Sequence, residues 1–158
     1  MNLNNYYMEL GWHILEKDGT AHGNWRPERK GTCSIQRGKL AFCRNGLHYS
    51  KELGDASDYR NRYGSVVCRV IGFNMLDSSV SSTTFGSPKC VANGRLILWR
   101  LKLPSSQKID ARGWGWGWGK AKIISEAKLK GVWVPDPKTD DEWDALQAKF
   151  ERAWKKNK

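Results

Sequence analysis

No stretch of this sequence approaches the eighteen or so consecutive apolar residues that a membrane-spanning helix requires, so a membrane-embedded protein is not expected. The start, Met1-Asn2-Leu3-Asn4-Asn5, lacks both the basic residues and the apolar run of a secretory leader. The product is therefore expected in the cytoplasm. Cysteine is scarce: Cys33, Cys43, Cys68 and Cys90 stand 10, 25 and 22 positions apart. None forms a Cys-x-x-Cys or Cys/His pair with zinc spacing, so no metal site is expected. A disulfide framework is disfavoured in a reducing compartment, and Cys68, inside an apolar run, reads as a small buried hydrophobe. Acidic residues are also few, 16 Asp and Glu against 27 Lys and Arg, for a net charge of +11.

The excess charge is unevenly placed. Residues 1–60 carry +2, residues 61–138 carry +9, and residues 139–158 balance. A basic face of that kind attracts a polyanion; a basic protein with no such partner is the competing reading. With 39% apolar residues and nine tryptophans in 158 positions, the chain has material for a real core and the length of one domain. Three regions are expected within that domain: a core over 11–103, a basic Trp-Gly segment over 104–138, and a C-terminal helix over 139–158.

Period-two alternation predicts a first strand over Tyr6–Leu15, with His13 facing away from Trp12 and Ile14. The Lys17-Asp18-Gly19 turn closes it. A short strand is expected around Thr32–Ile35. The organising unit is then strand, helix, strand: Gly46–Ser50 extended, Lys51–Tyr59 helical, and Val66–Ile71 a buried β-branched strand. It puts His48 at a strand end and Tyr59 eleven positions later at the helix end, places from which side chains reach a cleft. The Ser/Thr-rich stretch 77–88 reads as a surface loop, and Arg95–Leu103 as a strand stopped by Pro104.

Glycine alternates with tryptophan over residues 113–119. If extended, that segment projects Trp114, Trp116 and Trp118 from one side. Flanked by Arg112, Lys120 and Lys122, the three indoles suit base stacking with phosphate attraction; covering the sheet or a helix is the alternative. Short strands are expected at Lys122–Ile124 and Gly131–Val134. Thr139-Asp140-Asp141-Glu142 is a capping box, and Trp143, Leu146, Phe150 and Trp154 recur at helical spacing, so an amphipathic last helix docks by one aromatic face.

From Gly11 to about Leu101 the chain resembles a domain of unknown function common in phage and prophage genomes, whose Gly-Leu-His-Ala-Ser signature stands here as Gly46-Leu47-His48-Tyr49-Ser50. Cys68-Arg69-Val70 and Arg95-Leu96-Ile97-Leu98-Trp99 match its later strands. More distantly, Gly46–Ser50 with Ala56 and Tyr59 looks like the Gly-Ile-Tyr-Phe-Ala and Ser-Ala-Asn-Tyr motif of poly(ADP-ribose) polymerases, and Trp12-His13 like the first-motif histidine of the ADP-ribosyltransferase superfamily. That resemblance implies an α+β fold of small split antiparallel sheets with few helices, and NAD in the cleft between the sheets. It implies cofactor contacts from His13, His48, Tyr49, Ser50 and Tyr59, and catalytic roles for His13, His48 and Arg95. The family's late catalytic Glu has no counterpart at Asn93-Gly94-Arg95, which brings the pattern nearer to the RNA 2'-phosphotransferases of the same superfamily. Glu126 is the substitute if the strand assignment there is wrong.

Three functions follow from these readings. One is an NAD-dependent transferase acting on nucleic acid or a host protein. The second is a non-catalytic phage protein that binds nucleic acid through the basic middle. The third is a phage interaction protein that blocks a host defence component or binds a signalling nucleotide; on any of the three, a phage-encoded product is expected in the host cytoplasm.

Overall fold

The β-branched run after Ser65 and the apolar run after Asn93 are the two central strands of one sheet, as burial on both faces requires. A computed structural model describes residues 6–20, 28–37, 47–59, 63–75, 80–82 and 89–156. In chain order the elements are β1 (Tyr6–Leu15), β2 (Cys33–Ile35), β3 (Leu47–Tyr49), α1 (Leu53–Tyr59), β4 (Val66–Met75), β5 (Val80–Ser82), β6 (Lys89–Ala92), β7 (Gly94–Lys102), α2 (Lys120–Leu129) and α3 (Asp140–Lys156). The architecture is α+β: a four-stranded sheet ordered β1-β4-β7-β2 and a three-stranded sheet ordered β3-β6-β5, with antiparallel pairing throughout.

Register decides which side chains share a face. Trp12, Arg69 and Trp99 stand in one row across the larger sheet, and His13, Cys68 and Arg100 in the next. The first face carries Trp12, Ile14, Val67, Trp99 and Leu101, covered by Leu53 and Ala56 of α1 and by Ile123 and Ala127 of α2. Farther along, Ile71, Phe73 and Leu96 receive Phe150 of α3, whose ring stacks on Phe73 at 4.2 Å. The opposite face carries Leu15, Cys68, Val70 and Ile97 against Tyr49, Cys90 and Ala92 of the smaller sheet. Burial pushes the Cys68 thiol up to about 12 and the Cys33 thiol to about 11, as desolvation of a thiolate demands.

The last helix matches its sequence reading closely. Glu142 N donates to Thr139 Oγ1 at 3.2 Å, so Thr139 caps the helix as expected, while the Glu142 carboxylate accepts from the Thr139 hydroxyl at 3.2 Å and from Lys138 N at 3.3 Å. Trp143, Leu146 and Trp154 are half-buried beside Phe150.

Elsewhere the chain departs from expectation. Residues 120–129 form a helix, not a strand at 122–124, because Ala, Lys, Glu and Leu around the two isoleucines are strong helix formers. Ile123 and Ala127 then fall on one face, and Lys122 pairs with Glu126 at 3.0 Å. Gly131, at φ 71°, stops the helix, with its N–H donating to Lys128 O at 3.1 Å. That leaves 131–134 irregular, with Val132 and Val134 packed on the core. The Trp-Gly segment is also not extended. Gly113 and Gly115 take φ of 75° and 85°, and the loop curls around the Asp110 carboxylate. Within the Ser/Thr-rich stretch, residues 80–82 are a strand, and Lys89–Ala92 is another that sequence reasoning did not mark.

Candidate functional site

Besides packing face to face, the two sheets are joined by main-chain hydrogen bonds at a seam along one edge. The end of β3 leaves its own sheet and pairs with the edge strand β1: Trp12 N donates to Ser50 O at 2.7 Å, and Ser50 N donates to Trp12 O at 2.9 Å. The chain then turns into α1, which lies back along β1. Between these three pieces is a cavity of about 60 Å³, opening to about 310 Å³ with its mouth included. It is lined by Trp12, His13 and Ile14 of β1, His48, Tyr49 and Ser50 of the β3 end, and Ala56 of α1.

Two histidines 35 positions apart in the chain thus border one cavity. Because β1 is an edge strand, residues from both of its faces reach the opening. Trp12 and Ile14 are buried and His13 is half-buried, so the alternation read from the sequence holds.

Tyr49, which also borders the cavity, is held in place by its ring. The ring lies flat over two glycines, where an added Cβ at Gly11 or Gly72 would stand 2.5 Å from a ring carbon. Its hydroxyl donates to Glu9 Oε1 at 2.7 Å. Lys51 reaches the other oxygen of Glu9 at 3.5 Å, and that carboxylate is the first cause of a raised Lys51 pKa. Cys90, 4.0 Å from Glu9, has its thiol pushed up by burial. This cluster locks the smaller sheet onto the larger one and gives β3 its angle.

Arg95 does not line the cavity. It is 3% exposed and forms an ion pair with Glu28 through Nη2 at 2.6 and 2.7 Å. Its other terminal nitrogen donates to the main-chain carbonyl of His48 at 2.6 Å. The expectation of a catalytic arginine in the cleft is corrected accordingly: Arg95 holds the strand that carries His48. Glu28, itself 4% exposed, had no signal in the sequence, because its partner is 67 positions away. Tyr59 ends α1, and its side chain lies outside the described residues.

The basic segment divides in two. Arg112, expected to meet phosphate, pairs with Asp58 at 2.6 Å and Asp55 at 3.6 Å and donates to Gly54 O. It ties the Trp-Gly loop to α1. Trp118 is half-buried, in a parallel bridge with Ile109, with the Lys122 ammonium 5.3 Å from its ring. Lys120 stands 5.7 Å from the Trp12 ring, behind the cavity wall, and the Arg69 guanidinium lies over the same ring at 4.5 Å. Trp114 and Trp116 remain 66% and 68% exposed.

Among the described residues, no group of three or more His, Cys, Asp or Glu is placed to hold a metal ion, and no helix is long and apolar enough to cross a membrane. Comparison with protein-family models, with curated proteins and with solved structures finds no match to this chain.

Proposed function

We propose that the chain is an ADP-ribosyltransferase-like protein that accepts NAD at the seam of its two sheets and passes the ADP-ribosyl group to a nucleic acid or a protein. One observation carries this reading: His13 and His48, from strands of different sheets, border the same small cavity with Ser50 and the Trp12 indole. The cavity and its open mouth offer a place for the edge of a flat heteroaromatic ring. Ile14, Ala56 and the Trp12 edge supply apolar contact for a nicotinamide, and the imidazole N–H groups supply donors for ribose hydroxyls. The enclosed space is smaller than a whole ring, so the ring's edge would enter it and the rest of a dinucleotide would lie in the open mouth.

NAD would supply an already activated bond between nicotinamide and the anomeric carbon. The task left to the protein is orientation: gripping both ends of that bond while excluding water from one side. His48 is well fitted for this, because the Arg95 clamp on its carbonyl fixes the strand end. In the transfer an acceptor oxygen or nitrogen would bond to the anomeric carbon as its bond to nicotinamide breaks and neutral nicotinamide leaves. Among the described lining residues none is acidic, so the proton released by the acceptor would pass to His13 or His48.

Thermal unfolding with and without 1 mM NAD tests the reading. A ligand present at about a hundred times its Kd adds roughly 2.7 kcal/mol, which raises Tm by roughly 5–10 °C in a domain of this size. The rise should vanish in His48→Ala and shrink in His13→Ala. An unchanged Tm at millimolar NAD would dispose of the proposal. Labelling of added RNA or protein from NAD separates a transferase from a protein that only binds.

A further inference from the structure

We infer that the Trp114–Trp116 loop is a built platform for single-stranded nucleic acid, with Lys108 and Tyr63 completing it. The inference does not depend on the cleft or on NAD.

The loop owes its shape to one carboxylate. Asp110 accepts the main-chain N–H groups of Trp114 and Trp116, each at 2.9 Å, and that of Gly115 between them. Gly113 and Gly115 take the left-handed conformations this wrapping needs. Added Cβ atoms at either would meet nothing within 4 Å, so the curl is set by the carboxylate and not by packing. The hydrogen bonds hold the Asp110 carboxyl below its usual value of 3.8, and the acid stays charged at neutral pH. Gly117 is different: a Cβ there would collide with Lys108 O at 2.1 Å, the carbonyl that accepts the Trp118 N–H at 2.8 Å and ties the loop to the Lys108 segment.

The result is two indoles held nearly perpendicular, 5.9 Å apart at 72°. The Lys108 ammonium stands 5.4 Å from the Trp116 ring and 5.9 Å from the Tyr63 ring, which is itself 57% exposed. Two open aromatic rings, Trp116 and Tyr63, therefore flank one cation, with Trp114 against Trp116, on the segment that carries most of the chain's positive charge.

Charge complementarity selects the occupant. Bases of any sequence stack on indole faces, and the phosphates between them meet Lys108. A carbohydrate would also stack on tryptophan, but it needs polar acceptors at the ring edge. Asp110, the acid of this loop, is spent on the main chain. A duplex hides its base faces and cannot use the rings.

The full-length protein should be titrated with fifteen-residue oligo-dT and oligo-U, following tryptophan emission and the anisotropy of a labelled strand. We expect quenching on binding, and a loss of affinity of roughly tenfold to hundredfold for Trp114→Ala or Trp116→Ala. With two or three phosphates neutralised, log K should fall with log salt at a slope of about −1.4 to −2. Both tryptophans are exposed, so circular dichroism should show the variants folded; Lys108→Ala, which removes no indole, should weaken binding and flatten the salt slope. The inference is overturned by no anisotropy change at 50 mM salt, by equal affinity in the Trp114→Ala/Trp116→Ala protein, or by duplex competing as well as single strand. Quenching by a glucan oligomer in place of the oligonucleotides would overturn it too.

Discussion

Removing the negative partner of Arg95 should cost more than any change on the protein's surface. Glu28→Gln keeps the shape of the side chain but leaves a guanidinium, 3% exposed, without a counter-charge. A buried ion has lost its water, and its partner is what makes that tolerable; breaking such a pair from one side costs about 3–5 kcal/mol. The exposed pair between Arg112 and Asp58, with both side chains more than a third open to solvent, offers an internal contrast, since water screens it and its worth is about 0–1 kcal/mol. Urea unfolding reads the difference. With an m-value of about 2 kcal/mol/M, Glu28→Gln should lower the midpoint by roughly 1.5–2.5 M, and Asp58→Asn by under about 0.5 M. Replacing both members, as in Glu28→Leu/Arg95→Leu, removes the stranded charge but also the donor to His48 O, and an unsatisfied buried carbonyl costs about 1–3 kcal/mol. The double variant should therefore be more stable than Glu28→Gln and less stable than the parent. If Glu28→Gln costs no more than Asp58→Asn, the pair is not the buried clamp described, and the account of how His48 is positioned falls with it.

Two further outcomes test the packing at the seam and the loop. Gly72→Ala puts a methyl 2.5 Å from the Tyr49 ring, an overpacking that should cost about 1–3 kcal/mol in urea unfolding; Tyr49→Phe should not relieve it, because ring carbons are what clash, and a Gly72→Ala protein of parental stability would mean the ring lies elsewhere. The Asp110 carboxyl is lowered in the folded state, first by its hydrogen bond from Trp114, so its contribution is complete above the unfolded value of 3.8 and is lost as pH falls through the lower folded value. Tryptophan emission should accordingly change in a step below about pH 3.8 that is absent from Asp110→Ala; the same step in that variant would assign it to another acid.

How much of this could be read from the residues follows from which signals are local. β1, β4 and β7 are legible because burial on one or both faces writes itself into the apolar pattern, and α3 because its cap and its aromatic stripe are both short-range. Lys89–Ala92 escaped notice, since four residues beside a Ser/Thr-rich stretch carry no period. At Lys122–Ile124 two isoleucines suggest a strand although the residues around them are helix formers, and in the Trp-Gly stretch alternation puts the indoles on one side only if the backbone is extended, which alternate glycines do not require. Asp110 was the available clue there: an Asp just before a glycine-rich run is a ready acceptor for the amides that follow.

The cleft itself was half legible for a different reason. His13 and His48 could be singled out as residues, but what joins them is a pair of main-chain hydrogen bonds between Trp12 and Ser50, and main-chain bonds leave no mark on side-chain identity. Arg95 was visible for the wrong role, because an arginine opening an apolar strand gives no hint that Glu28 will cover it. The same limitation hid the connection between the two candidate sites. Arg112 ties the Trp-Gly loop to Gly54 and Asp58 of α1, and α1 is also the helix that gives Ala56 to the cavity wall. A strand stacked on Trp114 and Trp116 would thus sit on a loop tied to the helix that bounds the cavity, and under the proposed function that is the side from which a nucleic-acid acceptor would approach.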